Sequence, residues 1–104
     1  MVLKRLRIRW SEPSERDLDE LLGYMAMDNP GVARALLGRL LSAVENLAAF
    51  PELGRAIPEL GRTYRELVSL RPFRIIYRTE RSELRILGVM RAEQLFSPKR
   101  FLEE

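Results

Sequence analysis

The sequence of 104 residues contains no cysteine and no histidine. Without cysteine there is no disulfide framework and no thiolate nucleophile, and without histidine the usual zinc ligand and the usual general base are missing. A metal ion would have to be held by carboxylates alone, and no stretch has the alternating acidic spacing of a calcium-binding loop. We therefore expect neither a metal nor a cofactor.

Long apolar runs are also missing. No stretch approaches the ~20 consecutive apolar residues that a membrane-spanning helix needs, and residues 1–10 alternate arginine with apolar residues instead of forming the hydrophobic segment of a signal peptide. The chain is 46% hydrophobic and 32% charged, which is typical of a folded protein. We expect one domain over residues 1–104 in a soluble, cytoplasmic protein without a membrane partner.

The charges are segregated along the chain. Residues 11–28 hold six carboxylates and a single arginine, whereas residues 62–91 hold eight arginines and three glutamates. Sixteen of the 18 basic residues are arginine, the side chain best suited to binding phosphate or carboxylate through a planar fork. This pattern favours an acidic partner for the second half of the chain.

The first half of the chain predicts a strand and two helices. Residues 4–10 alternate apolar residues with arginine, the period of a strand with one buried face. Ser11 is predicted to cap a helix that ends near Asn29, and Asn29 is predicted to cap a second helix that Phe50-Pro51 ends. The connection is so short that the two helices must form an antiparallel hairpin. The apolar stripes that support both helices are Leu18, Leu21, Leu22 and Met25 in the first, and Val32, Ala33, Leu36, Leu37, Leu40, Leu41, Val44, Leu47 and Ala48 in the second.

The second half predicts three strands after an irregular crossover at residues 51–63. The strands are residues 64–70, 73–78 and 84–90, with residues 79–83 as a hairpin loop. Alternation in the last strand places Leu84, Ile86 and Met90 on one side and Arg85, Leu87 and Val89 on the other. The short tail that follows is predicted to form a helical turn before Pro98.

These elements predict an α+β fold: an N-terminal strand, an antiparallel helical hairpin and a three-stranded antiparallel sheet, in the order βααβββ. Two helices cover only one face of a small sheet, so the other face is expected to stay partly open. Arg74 and Arg78 share one side of their strand, opposite Phe73, Ile75 and Tyr77, and are expected to line that open face.

Few kinds of catalysis are compatible with these residues. There is no glycine-rich phosphate loop and no serine in a nucleophile elbow, and the neighbouring carboxylates Asp17 and Glu20 are interpreted as a solvated helix face. A sheet face with Arg74, Arg78 and Arg91 can hold phosphate and stabilise charge that develops during RNA cleavage, or it can dock an acidic protein.

The tail offers a second candidate contact. Phe96, Lys99 and Arg100 form either a contact patch for a partner or a segment that folds back onto the sheet.

Several short motifs and their order along the chain resemble the ParE branch of the RelE/ParE toxin superfamily. The resemblance covers roughly residues 5–91, and it implies the fold described above. The motifs are Trp10-Ser11, Glu15-Arg16-Asp17-Leu18, Asp28-Asn29-Pro30, Phe50-Pro51-Glu52-Leu53-Gly54-Arg55, Tyr64-Arg65-Glu66-Leu67 and Pro72-Phe73-Arg74-Ile75-Ile76-Tyr77-Arg78.

The resemblance implies a small toxin that a cognate antitoxin wraps and neutralises. ParE-type toxins are associated with inhibition of DNA gyrase, whereas RelE-type toxins cut messenger RNA in the ribosome. Arg74 matches an arginine that RelE-type toxins use, and Arg91 lies about where another follows the last strand. Phe96 stands where those enzymes place a tyrosine or histidine, and Met90-Arg91-Ala92 replaces the His-x-Arg typical of ParE.

Three hypotheses follow from the resemblance. The first is a non-enzymatic gyrase inhibitor whose target-binding residues are Arg74, Arg78, Arg91, Phe96, Lys99 and Arg100. The second is a ribosome-dependent endoribonuclease with Arg74 and Arg91 as its catalytic residues. The third is an inactive family member that acts as an interaction protein.

Overall fold

The computed structural model describes residues 5–94 and 96–102. Residue 4 of the predicted first strand therefore lies outside the described residues. The described residues form nine elements: β1 (Arg7–Trp10), α1 (Glu12–Asp28), α2 (Pro30–Ala49), a 3-10 turn (Pro51–Leu53), β2 (Arg55–Ile57), β3 (Gly61–Leu67), β4 (Phe73–Glu80), β5 (Glu83–Arg91) and α3 (Pro98–Leu102).

The helical hairpin begins and ends at the predicted residues. The Ser11 hydroxyl accepts a hydrogen bond from the Ser14 backbone N–H at 3.1 Å. Asn29 alone joins the two helices: its backbone N–H donates to the Met25 carbonyl oxygen, and its side chain accepts from the Val32 N–H. One residue thus ends α1 and caps α2, which accounts for the tight hairpin.

The α+β fold is confirmed, but the sheet is larger than predicted. Its five strands lie in the order β1-β5-β4-β3-β2, with β1 parallel to β5 and the other neighbours antiparallel. The crossover contains the extra strand β2, which spans only three residues and is too short to show a period in the sequence.

The helices pack on one face of the sheet. The core between them is formed by buried residues of α2, β4 and β5, with half-buried residues of β1 and α1 around it. Tyr77 is fully buried there, and its hydroxyl donates to the Pro51 carbonyl oxygen at 2.6 Å and accepts from the Gly54 N–H at 2.9 Å. Burial raises the pKa of the Tyr77 phenol, because the phenolate would lose its hydration.

A bulge in β5 makes one predicted alternation wrong. Ile76 pairs with Gly88 and Tyr77 pairs with Ile86, so Leu87 is an extra residue on β5. The side chains after the bulge change faces: Val89 joins the helix-side core, while Met90 joins the opposite face.

The face away from the helices is partly closed by the chain itself. A second cluster forms there from Ile57, Leu60, Ile76, Leu87, Met90 and Phe101, with Tyr64 and Phe96 against it. The Phe101 side chain is fully buried and stacks on the Phe96 ring, with the centroids 5.5 Å apart. The tail thus folds back onto the sheet, and its helix begins at Pro98 rather than before it.

Candidate functional site

Arg74 lies on the face away from the helices, as expected, but its charge is already matched. Its Nη2 atom is 2.7 Å from Glu66 Oε1, and its Nε donates to the same oxygen at 2.8 Å. Glu66 is buried and also lies 3.3 Å from Arg55 Nε. The Arg74 guanidinium stacks 5.3 Å from the centroid of the Phe96 ring. Arg74 is therefore part of an internal ion-pair cluster.

Arg78 lies on the same face, beside Tyr64. Its Nη1 donates to the Tyr64 hydroxyl at 2.9 Å, and its guanidinium lies 5.5 Å from the centroid of that ring. Glu80 is 3.4 Å from its Nη2. The buried Nε of Arg78 has no hydrogen-bond partner among the described residues.

The prediction that Arg91 shares a face with Arg74 is wrong. Arg91 pairs in register with Phe73, whereas Arg74 pairs with Met90. Because side chains of paired residues point to the same face, Arg91 lies on the helix side with Phe73 and Val89. Its Nε is 2.9 Å from the exposed Glu93 carboxylate. The two arginines therefore lie on opposite faces of the sheet.

The three predicted contact residues of the tail, Phe96, Lys99 and Arg100, lie in different environments. Phe96 covers Arg74 on the face away from the helices, and Lys99 is exposed. Arg100 forms an ion pair with Asp17 of α1 and stacks 4.8 Å from the centroid of the Phe101 ring. The six predicted target-binding residues thus do not form one continuous patch.

A groove that the sequence did not predict lies between the helical hairpin and the end of the sheet. We call it the hairpin groove; its cavity is about 550 Å³. Its apolar lining is accessible, since Tyr24 is 68% exposed and Val32 is 46% exposed. Carboxylates of α1 line one side and arginines of β5 and the tail line the other. The lining residues are Asp17, Glu20, Leu21, Tyr24, Met25, Asp28, Asn29, Val32, Pro72, Phe73, Val89, Arg91, Gln94 and Arg100.

Asp17 is a structural residue of this groove rather than part of a solvated helix face. Its Oδ2 accepts a hydrogen bond from the Val89 backbone N–H at 3.0 Å, just beyond the β5 bulge, and also pairs with Arg100. One carboxylate oxygen thus joins α1, β5 and the tail. Glu20 is exposed, as expected.

We expect Asp17→Ala to lower the free energy of unfolding by about 2 kcal/mol, because the Val89 N–H and Arg100 both lose their acceptor. Asp17→Asn keeps one acceptor oxygen and should lose less. Urea unfolding gives the free energies, and the rate of tryptic cleavage after Lys99 and Arg100 reports release of the tail. Glu20→Ala is the control on the same helix; a tail cleaved at an equal rate in Asp17→Ala and Glu20→Ala would contradict the contact.

No three metal-ligating side chains come together among residues 5–94 and 96–102. In the same part of the chain, no helix has the length and apolar character to cross a membrane.

Comparison with known proteins agrees with the fold and the motifs. The sequence model of one protein family, described as ParE toxin of type II toxin-antitoxin system, parDE, matches residues 8–96. A protein of Sinorhizobium fredii (strain NBRC 101917 / NGR234), "Putative toxin Y4kP", is 40% identical over 93 residues, which cover 88% of this chain and 94% of that protein.

A solved structure has the same fold. A chain of the chromosomal ParDE TA system from P. aeruginosa superposes with a TM-score of 0.70 at 22% identity, covering 85% of this chain and 97% of that one. Taken with the match over residues 8–96, these likenesses identify the chain as a member of the ParE toxin family of type II toxin-antitoxin systems.

Proposed function

We propose that this ParE-type toxin inhibits DNA gyrase in the cytoplasm and is neutralised by a cognate antitoxin bound in the hairpin groove. A non-enzymatic toxin is favoured by one observation: Arg74 and Arg91 lie on opposite faces of the sheet. Two arginines on opposite faces do not act on one phosphodiester, and Arg74 is already paired with buried Glu66. Membership of the ParE family supports gyrase as the target.

The groove supports a protein segment as the neutralising partner. Interfaces derive most of their affinity from apolar and aromatic anchors at the centre of a polar rim. Tyr24, Met25 and Val32 provide such anchors on the hairpin, and charges of both signs surround them. An amphipathic antitoxin segment satisfies both the apolar lining and the charged rim.

The target is tested by inducing the toxin in bacteria and adding the purified protein to a gyrase supercoiling reaction. We expect growth arrest with signs of DNA damage, loss of supercoiling, and intact messenger RNA in a translation extract. Unchanged supercoiling at saturating toxin would contradict the gyrase proposal. Cleaved messages would favour the endoribonuclease, and normal growth would favour an inactive interaction protein.

The proposed role of the groove in antitoxin binding is tested separately by substitution of Val32. We expect Val32→Asp to weaken antitoxin binding by roughly a hundredfold, since a charged group replaces an apolar anchor. The toxin should remain active, so that co-expressed antitoxin no longer rescues growth. Leu41→Asp is a matched control, because Leu41 is an aliphatic residue of α2 with a similar exposure, 44% against 46% for Val32, and it does not line the groove. Equal rescue of both variants would exclude the groove as the antitoxin site.

A further inference from the structure

A row of polar side chains crosses four strands on the face of the sheet away from the helices. Arg9 of β1 pairs with Arg85 of β5, Arg85 pairs with Arg78 of β4, and Arg78 pairs with Tyr64 of β3. Neighbouring strands lie ~4.8 Å apart, so this row is about 15 Å long. We call these four residues the cross-strand row.

The neighbours of the row show which way its side chains point. Ile8 and Trp10 flank Arg9 along β1, and Leu84 and Ile86 flank Arg85 along β5; all four pack into the helix-side core. Because side chains alternate along a strand, Arg9 and Arg85 point to the opposite face. Their side chains are 61% and 39% exposed.

The carboxylates near the row leave it positively charged. Glu80 lies 3.4 Å from both Arg78 and Arg85, so one carboxylate serves two guanidinium groups. Glu83 lies 3.5 Å from Arg9 and pairs in register with a further exposed arginine, Arg7. Four arginines therefore face two carboxylates. The Arg9–Glu83 and Arg85–Glu80 pairs, in which the arginine side chains are 61% and 39% exposed, contribute little to stability, and phosphate can compete with their carboxylates.

The surroundings favour nucleic acid over an acidic protein. The exposed large hydrophobic residues among those described are Tyr24, Met27, Val32, Leu41, Phe50, Leu53, Val68 and Leu102. None of them belongs to β1, β3, β4 or β5, so the row lacks the apolar anchors on which protein interfaces depend. Phosphate groups need only charged and hydroxyl donors, and the row offers three guanidinium groups and a phenol.

We propose that the cross-strand row binds the sugar–phosphate backbone of a nucleic acid without reading its base sequence. The row lies on the opposite side of the sheet from the hairpin groove, and it does not depend on gyrase being the target. Arg78 is held by Tyr64 at one end, while the exposed Arg9 and the half-buried Arg85 are accessible to the ligand along the rest.

The proposal is tested by fluorescence anisotropy. The purified chain is titrated against three labelled probes of about 20 nucleotides and the same sequence: single-stranded DNA, duplex DNA and RNA. Binding to at least one of them should weaken linearly with salt on logarithmic axes, with a slope of about −2 to −4 for three or four phosphate contacts. The three probes show which form of nucleic acid is preferred. Absence of binding to all three at about 50 mM salt would overturn the proposal.

The double substitution Arg9→Gln with Arg85→Gln should lower the affinity by about tenfold or more and reduce the salt slope by about 2. Arg34→Gln with Arg39→Gln removes the same charge from exposed positions of α2 and is the matched control, expected to change affinity by less than about threefold. Equal losses in both variants would mean that net charge alone attracts the nucleic acid. Polyglutamate that binds as tightly as DNA would indicate an acidic protein instead.

Crosslinking of the unaltered protein keeps the test valid if the double variant is unfolded. A DNA carrying 4-thiothymidine is irradiated in the complex, and the modified peptides are mapped. Adducts should lie on peptides of β1, β3, β4 and β5, which carry the row, and adducts confined to other elements would overturn the proposal.

Discussion

Glu66→Ala is expected to lower the free energy of unfolding by about 3 kcal/mol, since it leaves a nearly buried guanidinium without its counter-charge. The Glu66 and Arg74 side chains are only 8% and 15% exposed, and the same carboxylate also pairs with Arg55. Urea unfolding followed by circular dichroism measures the loss. Glu59→Ala is the control, because Glu59 lies beside Glu66 and Arg74 in a shallow surface cavity but is exposed, so its loss should change stability by less than about 0.5 kcal/mol.

The pair can also be removed as a whole. Glu66→Met combined with Arg74→Met replaces two opposite charges with apolar side chains and should be more stable than Glu66→Ala, because no uncompensated charge is left. A double variant as unstable as the single one would contradict this account of the cluster. A folded double variant that still arrests growth would show that Arg74 stabilises the fold and does not bind the target.

Gly54→Ala is the second substitution expected to have a large effect, a loss of about 3 kcal/mol. A Cβ atom at this position would lie 2.8 Å from the Glu66 carbonyl oxygen and 2.7 Å from the Tyr77 ring, and closer still to the Tyr77 hydroxyl. The Gly54 backbone has ordinary extended angles, so the cause is the close approach of Tyr77 and not a special conformation. Thermal or urea unfolding measures the loss.

Gly38→Ala is the matched control, since a Cβ there meets nothing within 4 Å and alanine favours a helix over glycine by about 1 kcal/mol. It should therefore stabilise the protein slightly. Tyr77→Phe alone should destabilise, because the Pro51 carbonyl and the Gly54 N–H lose their partner. In the Gly54→Ala background the same change should cost less, since it also removes the closest clash. Strict additivity of the two substitutions would contradict direct contact.

The two proposed binding surfaces, the hairpin groove and the cross-strand row, lie on opposite sides of the sheet. The hairpin groove has accessible apolar anchors and charges of both signs, which suits a folded protein segment. The cross-strand row has arginines and no exposed apolar anchor, which suits phosphate. Because the sheet separates the two surfaces, substitutions at Val32 and at Arg9 and Arg85 are expected to act independently.

The sequence by itself determined the helical hairpin, the order of the main elements and the burial of Phe73, Ile75 and Tyr77. These features depend on local signals: capping at Ser11 and Asn29, the helical apolar period and the alternation within a strand, each of which acts over a few residues. The family motifs are likewise local and could be recognised directly.

Only the tertiary structure decided the composition of the candidate sites. The extra residue Leu87 changes the faces of Val89 and Met90, and the pairing of Arg91 with Phe73 places Arg91 on the helix side. The partnership of Glu66 with Arg74 and that of Asp17 with Val89 and Arg100 join residues that are distant in the chain or on different elements. Such contacts depend on strand register and on how the tail packs, and neither is encoded in the period of a single segment.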